Sequence, residues 1–338
     1  MLIDRTTGKE RQVAGVRLAA GLGIALAAGA AAGGWWLPAG AVVAGVLVLC
    51  VPRDELPPRV TPLVEGVRLM TRLGLVPVFA SAFAVYLLPQ YRVPAAVGVV
   101  LVVTAVDALG LSLPRFLRGW ILGILLVGAA GLIALCLAIA PERGVGSGAG
   151  VTGLFAAGAV LFPLLERRKP DRWLAGAVVI AAAVCAAALY QLGPVRLGLS
   201  DAPLRDLLAA VDGQTIEPLL AGVVVIAALP AALGALTEAR GGLPRPAGSV
   251  VCGLLAAAGA ALLEPVQALL VAAALALAGA LVTSLLTLSV RRRDARSVVS
   301  AVLAITLLAW LPPADLLIAP AAIVVGVLLS RPSRTPAR

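Results

Sequence analysis

Few side chains in this chain could do chemistry. There is no histidine, so the commonest general base and metal ligand are both missing. The cysteines Cys50, Cys136, Cys185 and Cys252 all lie in apolar runs, and none forms a C-x-x-C pair. They read as small buried hydrophobes, not as a metal site. No paired carboxylates, nucleophile elbow or phosphate loop occurs in a suitable context. The chain is therefore expected not to be an enzyme and to hold no metal or cofactor. What remains is a handful of polar groups within apolar runs. Asp107 is the clearest. An ionisable group in such a place is a functional candidate, here for coupling to an ion or proton. Its alternative role is to pair with Arg115 or Arg118 in the next loop. Ser81 and Thr152 are candidates for substrate contact. Thr104, Gln267, Thr283, Ser284 and Thr287 have the commoner role of bonding between helices.

The runs that carry these groups define the class. Hydrophobic residues make up 61% of the 338 residues and charged residues 13%, against about 45–50% and about 25% in soluble domains. That much apolar surface needs the bilayer as its solvent. The net charge of +10 does not point to nucleic acid, because the charges sit in short loops with few aromatics beside them. The lipid bilayer is the expected partner.

Twelve apolar spans can be marked, at 18–34, 37–51, 73–89, 94–110, 119–140, 149–165, 172–192, 217–236, 247–263, 266–290, 297–311 and 315–330. With the N-terminus inside, only Arg92, Arg143, Arg196 and Arg205 of the 27 basic residues fall on the outer face. Basic residues resist translocation, so both termini are expected in the cytoplasm. Trp35, Trp36 and Tyr91 mark outer span ends, and Trp120 and Trp173 inner ones. The longest outer connection, 193–216, contains Ser200-Asp201-Ala202-Pro203. This is a helix start followed by Leu204, Leu207, Leu208 and Val211 at helical spacing. It predicts a short amphipathic surface helix.

Two glycine clusters open the first and sixth spans, at Gly21–Gly34 and Gly144–Gly158. Five spans followed by five of opposite direction is the plan of many secondary transporters, whose first and sixth helices break at mid-membrane and bind substrate there. On that reading, Gly21–Gly29 and Gly153–Gly158 are the breaks. On the other reading, they are close helix crossings.

Several strings carry a family resemblance. Ala239-Arg240-Gly241-Gly242-Leu243-Pro244-Arg245 resembles the "ARDGxLP" loop of amino acid permeases in the amino acid–polyamine–organocation superfamily. Glu166-Arg167-Arg168-Lys169-Pro170-Asp171-Arg172 is similar to that family's "E-x-K-N-P-R-R" loop. Ser200–Leu204 is similar to its "S-x-A-P-L" start, and Leu286–Arg293 to its "L-x-x-L-R-x-R" exit. The strings occur in the family's order and cover most of the chain.

The resemblance implies an all-α polytopic membrane protein of about twelve transmembrane helices. A cytoplasmic segment 1–17 would precede a first inverted five-helix repeat, 18–140. A second repeat, 149–290, two C-terminal helices, 297–330, and a cytoplasmic tail, 331–338, would follow. It also implies a plasma-membrane secondary transporter of a small amino acid or amine, with protons as a candidate coupling partner. The substrate would bind at Gly21, Gly23 and Ile24 in the first helix and at Phe155, Ala156 and Gly158 in the sixth. The chain departs from the family at Val160, where an acidic residue is usual, and lacks the aromatic gate. A non-transporting membrane scaffold on the same fold is the alternative.

Overall fold

A computed structural model describes residues 3–52, 61–111, 114–140, 150–166, 172–211, 213–241, 243–290 and 294–330. The basic loop 167–171, Arg143, Gly144, Gly146, Gly148, Arg291 to Arg293 and the tail 331–338 lie outside the described residues. The described elements are all helical. They are α1 (Ile3–Gly33), α2 (Leu37–Cys50), α3 (Thr61–Leu87), α4 (Arg92–Ala108), α5 (Arg115–Ala138), α6 (Gly153–Leu165) and α7 (Arg172–Leu199). Then come α8 (Pro203–Ala210), α9 (Glu217–Arg240), α10 (Ala247–Leu262), α11 (Pro265–Val290), α12 (Ala295–Ala309) and α13 (Pro313–Ser330). Backbone groups in hydrocarbon must be satisfied within their own segment, and a helix does this along its whole length.

Among the described residues, seven segments are long and apolar enough to cross a membrane. They are Gly15–Cys50, Leu63–Leu87, Pro89–Ala108, Phe116–Ala138, Trp173–Leu199, Glu217–Arg240 and Pro265–Ser289. The apolar helices α6, α10, α12 and α13 are shorter. These lengths and compositions fit a helical protein embedded in a membrane.

Hydropathy places most helix ends within a few residues. The main exceptions are α1, which begins at Ile3, fifteen residues before the apolar run expected from 18, and α3, which begins at Thr61, twelve residues before the run expected from 73. Apolarity stops at the charged residues Glu65, Arg68 and Arg72, but the helix continues through them. The amphipathic helix after α7 is present as α8, with Leu204, Leu207 and Leu208 buried. Its cap differs from expectation. Ala202 is the N-cap, without a side-chain bond. Ser200 instead bonds Asp206, and Asp201 pairs with Arg92 at 2.9 Å.

α3 is the central helix. It packs against α9, α11, α13, α4, α10 and α1, with Leu75, Val76, Val78, Phe79 and Ala80 fully buried. α6 packs between α1, α2, α11 and α12. α1 packs on α7 as α6 packs on α2, and α1 packs on α5 as α6 packs on α11. The pairs α1–α6, α2–α7, α3–α9 and α4–α10 are also in contact. Close approaches occur where glycine removes the side chain. A Cβ on Gly40 of α2 would sit 2.6 Å from the Ala157 Cβ and 2.8 Å from the Gly158 nitrogen on α6. A Cβ on Gly66 of α3 would sit 2.7 Å from the Val327 nitrogen on α13.

The charges segregate to the two ends of the bundle. At one end, called the basic end below, Arg17, Arg72, Glu166 and Glu238 are joined by ion pairs, and Arg240 and Arg245 pair with Asp107. At the opposite end Arg205 pairs with Glu217 and donates to the Tyr86 carbonyl at 3.1 Å. The Tyr86 hydroxyl accepts from the Leu204 N–H at 3.1 Å, which fastens α8 over α3.

α7 bends near that opposite end. Gly193 there has φ 70 and ψ 165, a region essentially closed to residues with a Cβ. Gln191, two residues before Gly193, donates to the carbonyls of Cys136 (2.5 Å) and Ile139 (2.7 Å) at the end of α5. Gly193→Ala is expected to destabilise the protein by ~1–3 kcal/mol, read as a lower melting temperature in detergent. Gly176→Ala, on the same helix where a Cβ meets nothing within 4 Å, is expected to leave the melt unchanged or raised.

Candidate functional site

The glycine-rich region expected to bind substrate is filled. α1 is helical without interruption from Ile3 to Gly33, and α6 from Gly153 to Leu165. The breaks expected at Gly21–Gly29 and Gly153–Gly158 are therefore absent. The physical reason lies in the neighbours. Alanine, the strongest helix former, flanks these glycines, and hydrocarbon penalises any freed backbone group. Gly21, Gly23, Gly29 and Gly158 each meet a neighbouring side chain. A Cβ on Gly21 would lie 3.0 Å from Leu164 Cδ1, and one on Gly23 3.0 Å from the Tyr86 hydroxyl. One on Gly158 would lie 3.3 Å from Leu307 Cδ2 and 3.4 Å from the Gly40 carbonyl.

The other expected contacts follow the same pattern. Ile24, Ala156 and Ser81 are buried in the helix packing. Phe155 is partly buried, and Thr152 is exposed just before α6. The structure brings α1 and α6 together, as expected, but leaves no room between them at these positions.

Asp107 is buried at the end of α4 and fully engaged. Its Oδ1 accepts from the Thr237 hydroxyl at 3.1 Å, and its Oδ2 from the Ser249 hydroxyl at 2.6 Å. Arg240 Nε lies 3.2 Å from Oδ2, and Arg245 Nη2 lies 3.9 Å from Oδ1. The carboxylate thus ties α4 to α9, α10 and the loop between them. Sequence proximity pointed to Arg115 or Arg118, whereas Arg240 and Arg245 arrive from across the fold. A carboxylate held by two hydroxyls and two guanidiniums suits a fixed structural anchor better than a proton carrier.

An open space lies elsewhere in the described structure. A cavity of about 1230 Å³ opens among the basic-end segments of α2, α3, α6, α9, α11 and α13. Among its described walls are Glu65, Arg68, Arg72, Glu166, Glu238 and Arg240. None of Gly21, Gly23, Ile24, Ser81, Thr152, Phe155, Ala156 or Gly158 is among them. Arg72 lies about eleven residues into α3, or ~16 Å along its axis, so the cavity runs well into the bundle. Arg72 is 8% exposed. Its Nε is 3.3 Å from Glu238, and its Nη2 is 3.7 Å from Glu166. Glu238 also pairs with Arg17 of α1. One carboxylate on α9 therefore bridges α1 and α3.

Sequence reasoning missed this cluster because its members flank the apolar runs, where charge reads as a topology signal. The available clue was the early start of α3, which carries Arg72 inside the bundle. Among the described residues no group of His, Cys, Asp and Glu could hold a metal. No protein-family model matches the chain, and no curated protein is significantly similar to it.

Proposed function

We propose that the chain is a secondary carrier of the cell membrane that moves a small amino acid or amine by alternating access. On this reading it has twelve spans, with two inverted five-helix repeats followed by two further helices, and both termini in the cytoplasm. One observation carries the proposal: the reciprocal helix pairing. If α1 to α5 correspond to α6, α7, α9, α10 and α11, the pair α1–α7 maps onto α6–α2, and α1–α5 onto α6–α11. The pairs α1–α6, α2–α7, α3–α9 and α4–α10 map onto themselves. Two halves related by a two-fold axis in the membrane plane share such reciprocal pairs, while the contacts of α1 with α9 and of α5 with α7 are without comparable counterparts in α6–α3 and α11–α2. The segregation of ion pairs supports the topology, since ion pairs among the described residues join residues expected on the same face. The basic end is then cytoplasmic. α8 covers the outer end while the cavity lies at the inner one, an arrangement suited to solute exchange with the cytoplasm.

A second reading, a non-transporting scaffold, is favoured by the unbroken α1 and α6 and the filled space between them. Uptake by purified protein in liposomes separates the two. A screen of amino acids and amines, with and without a pH gradient, is expected to show saturable uptake of at least one solute above protein-free vesicles. Uptake at the vesicle background for every solute, from protein that melts cooperatively, would leave the scaffold.

A further inference from the structure

We propose that the turn between α4 and α5 and the loop between α9 and α10 form a head-group site for an anionic phospholipid, centred on Arg245. The positive charge there is unbalanced. The Asp107 carboxylate already accepts from Thr237 and Ser249 and lies 3.2 Å from Arg240 Nε. Arg245 Nη2 stands off at 3.9 Å, past hydrogen-bonding reach, which ends near ~3.2 Å. One carboxylate thus faces two guanidiniums, and one positive charge is left over. The Arg245 side chain is 44% exposed and makes no hydrogen bond among the described residues. Its donors are open to a ligand from outside the bundle.

The surroundings of Arg245 say what kind of ligand fits. α4 ends in a Schellman turn, in which the Leu111 N–H donates to the Val106 carbonyl at 3.1 Å and Gly110 takes φ 76. The Arg245 guanidinium lies beside this glycine, where a Cβ would come 3.1 Å from its Nη1. The same turn holds apolar side chains outward, with Leu109 76% and Leu111 59% exposed. Phe116 and Trp120, in the first turns of α5, are exposed as well, their rings edge to face at 5.9 Å. A tryptophan at a helix end among apolar neighbours suits the depth where head groups meet acyl chains. A water-soluble anion would leave these four side chains in water. A phospholipid covers them with its chains and presents its phosphate to Arg245, whose planar fork matches phosphate oxygens in pairs. A zwitterionic lipid brings its own cation, whereas an anionic one neutralises the surplus charge. A basic residue near a membrane surface favours anionic lipid by about fivefold. The site rests on the membrane placement of the helices and holds for a carrier and a scaffold alike.

Native mass spectrometry of the full chain in detergent tests the site, with dioleoyl phosphatidylglycerol and dioleoyl phosphatidylcholine as probes. Phosphatidylglycerol is expected to bind at least about fivefold more tightly than phosphatidylcholine. Arg245→Gln is expected to bring phosphatidylglycerol down to the level of phosphatidylcholine and leave phosphatidylcholine unchanged. Arg338→Gln, which removes one positive charge from the tail, is expected to keep the preference. Leu111→Glu adds a carboxylate to the exposed turn and alters no partner of Asp107. It is expected to abolish the preference, and it is decisive where Arg245→Gln fails to fold. Equal binding of the two lipids to the wild-type protein overturns the site and leaves the membrane placement. An equal loss from Arg245→Gln and Arg338→Gln also overturns the site, because diffuse charge then explains the preference. Displacement of phosphatidylglycerol by an equal concentration of glycerophosphoglycerol, its head group without acyl chains, assigns the site to a soluble phosphate and overturns the lipid proposal. Retention of neither lipid overturns the site and the membrane placement together.

Discussion

Gly40→Leu will leave little folded protein. The new side chain would enter the α2–α6 crossing, where even a Cβ falls 2.6 Å from the Ala157 Cβ and 2.8 Å from the Gly158 nitrogen. The obstacle includes backbone, which cannot rotate away. Overpacking a core of flexible side chains costs ~1–3 kcal/mol, and forcing two helix backbones apart should exceed the top of that range. The fraction eluting as monodisperse protein and the melting temperature in detergent both report it. Gly123→Ala and Gly131→Ala on α5, where a Cβ meets nothing within 4 Å, serve as controls and are expected to be neutral or stabilising by up to about 1 kcal/mol. A melt of Gly40→Leu matching these controls would show that the crossing is looser than described. Gly158→Leu meets the same crossing from α6, against Leu307 and Val43. Lost uptake in that variant would therefore report damaged packing and not a binding site.

The second large effect is expected from Asp107→Ala. Removing the carboxylate leaves Arg240 and Arg245 facing each other and strips the Ser249 and Thr237 hydroxyls of their shared acceptor. Breaking a buried ion pair from one side costs about 3–5 kcal/mol. Ser249→Ala removes one neutral donor and is expected to cost about 1 kcal/mol. Unfolding in a denaturing detergent series would rank the two. A shift of under about 0.5 kcal/mol for Asp107→Ala would contradict the anchoring role and return Asp107 to the candidates for coupling.

The helices were legible in the sequence because each must satisfy its own backbone in hydrocarbon, so apolar runs and helices nearly coincide. α8 was legible for a different reason, its Pro203 start and leucine spacing. The candidate site was not legible. Gly21, Gly23 and Gly158 suit either a broken helix or a close crossing, and sequence alone does not show what faces them. Leu164, Tyr86 and Gly40, which do face them, come from segments far away along the chain. The same holds for Asp107, whose ion-pair partners lie more than 130 residues away. Arg72 and Glu166 looked like ordinary loop charges until the length of α3 and the position of Glu166 just past the end of α6 placed both residues in a cavity wall.

The shortness of α2 and α12 has a consequence for the surrounding lipid. The two helices pack side by side and have 14 and 15 residues, or ~21–23 Å of axis. The hydrocarbon core of a typical bilayer is ~30 Å thick. Both helices face outward through Val42, Val46, Leu49, Val298, Val302 and Ile305, so acyl chains must meet them directly. On the proposed twelve-span topology the two leaflets are expected to draw together by several ångströms on this flank. The protein would then carry its own thinned patch of membrane, and the chain length of the host lipid would become a variable acting on one side of the bundle only.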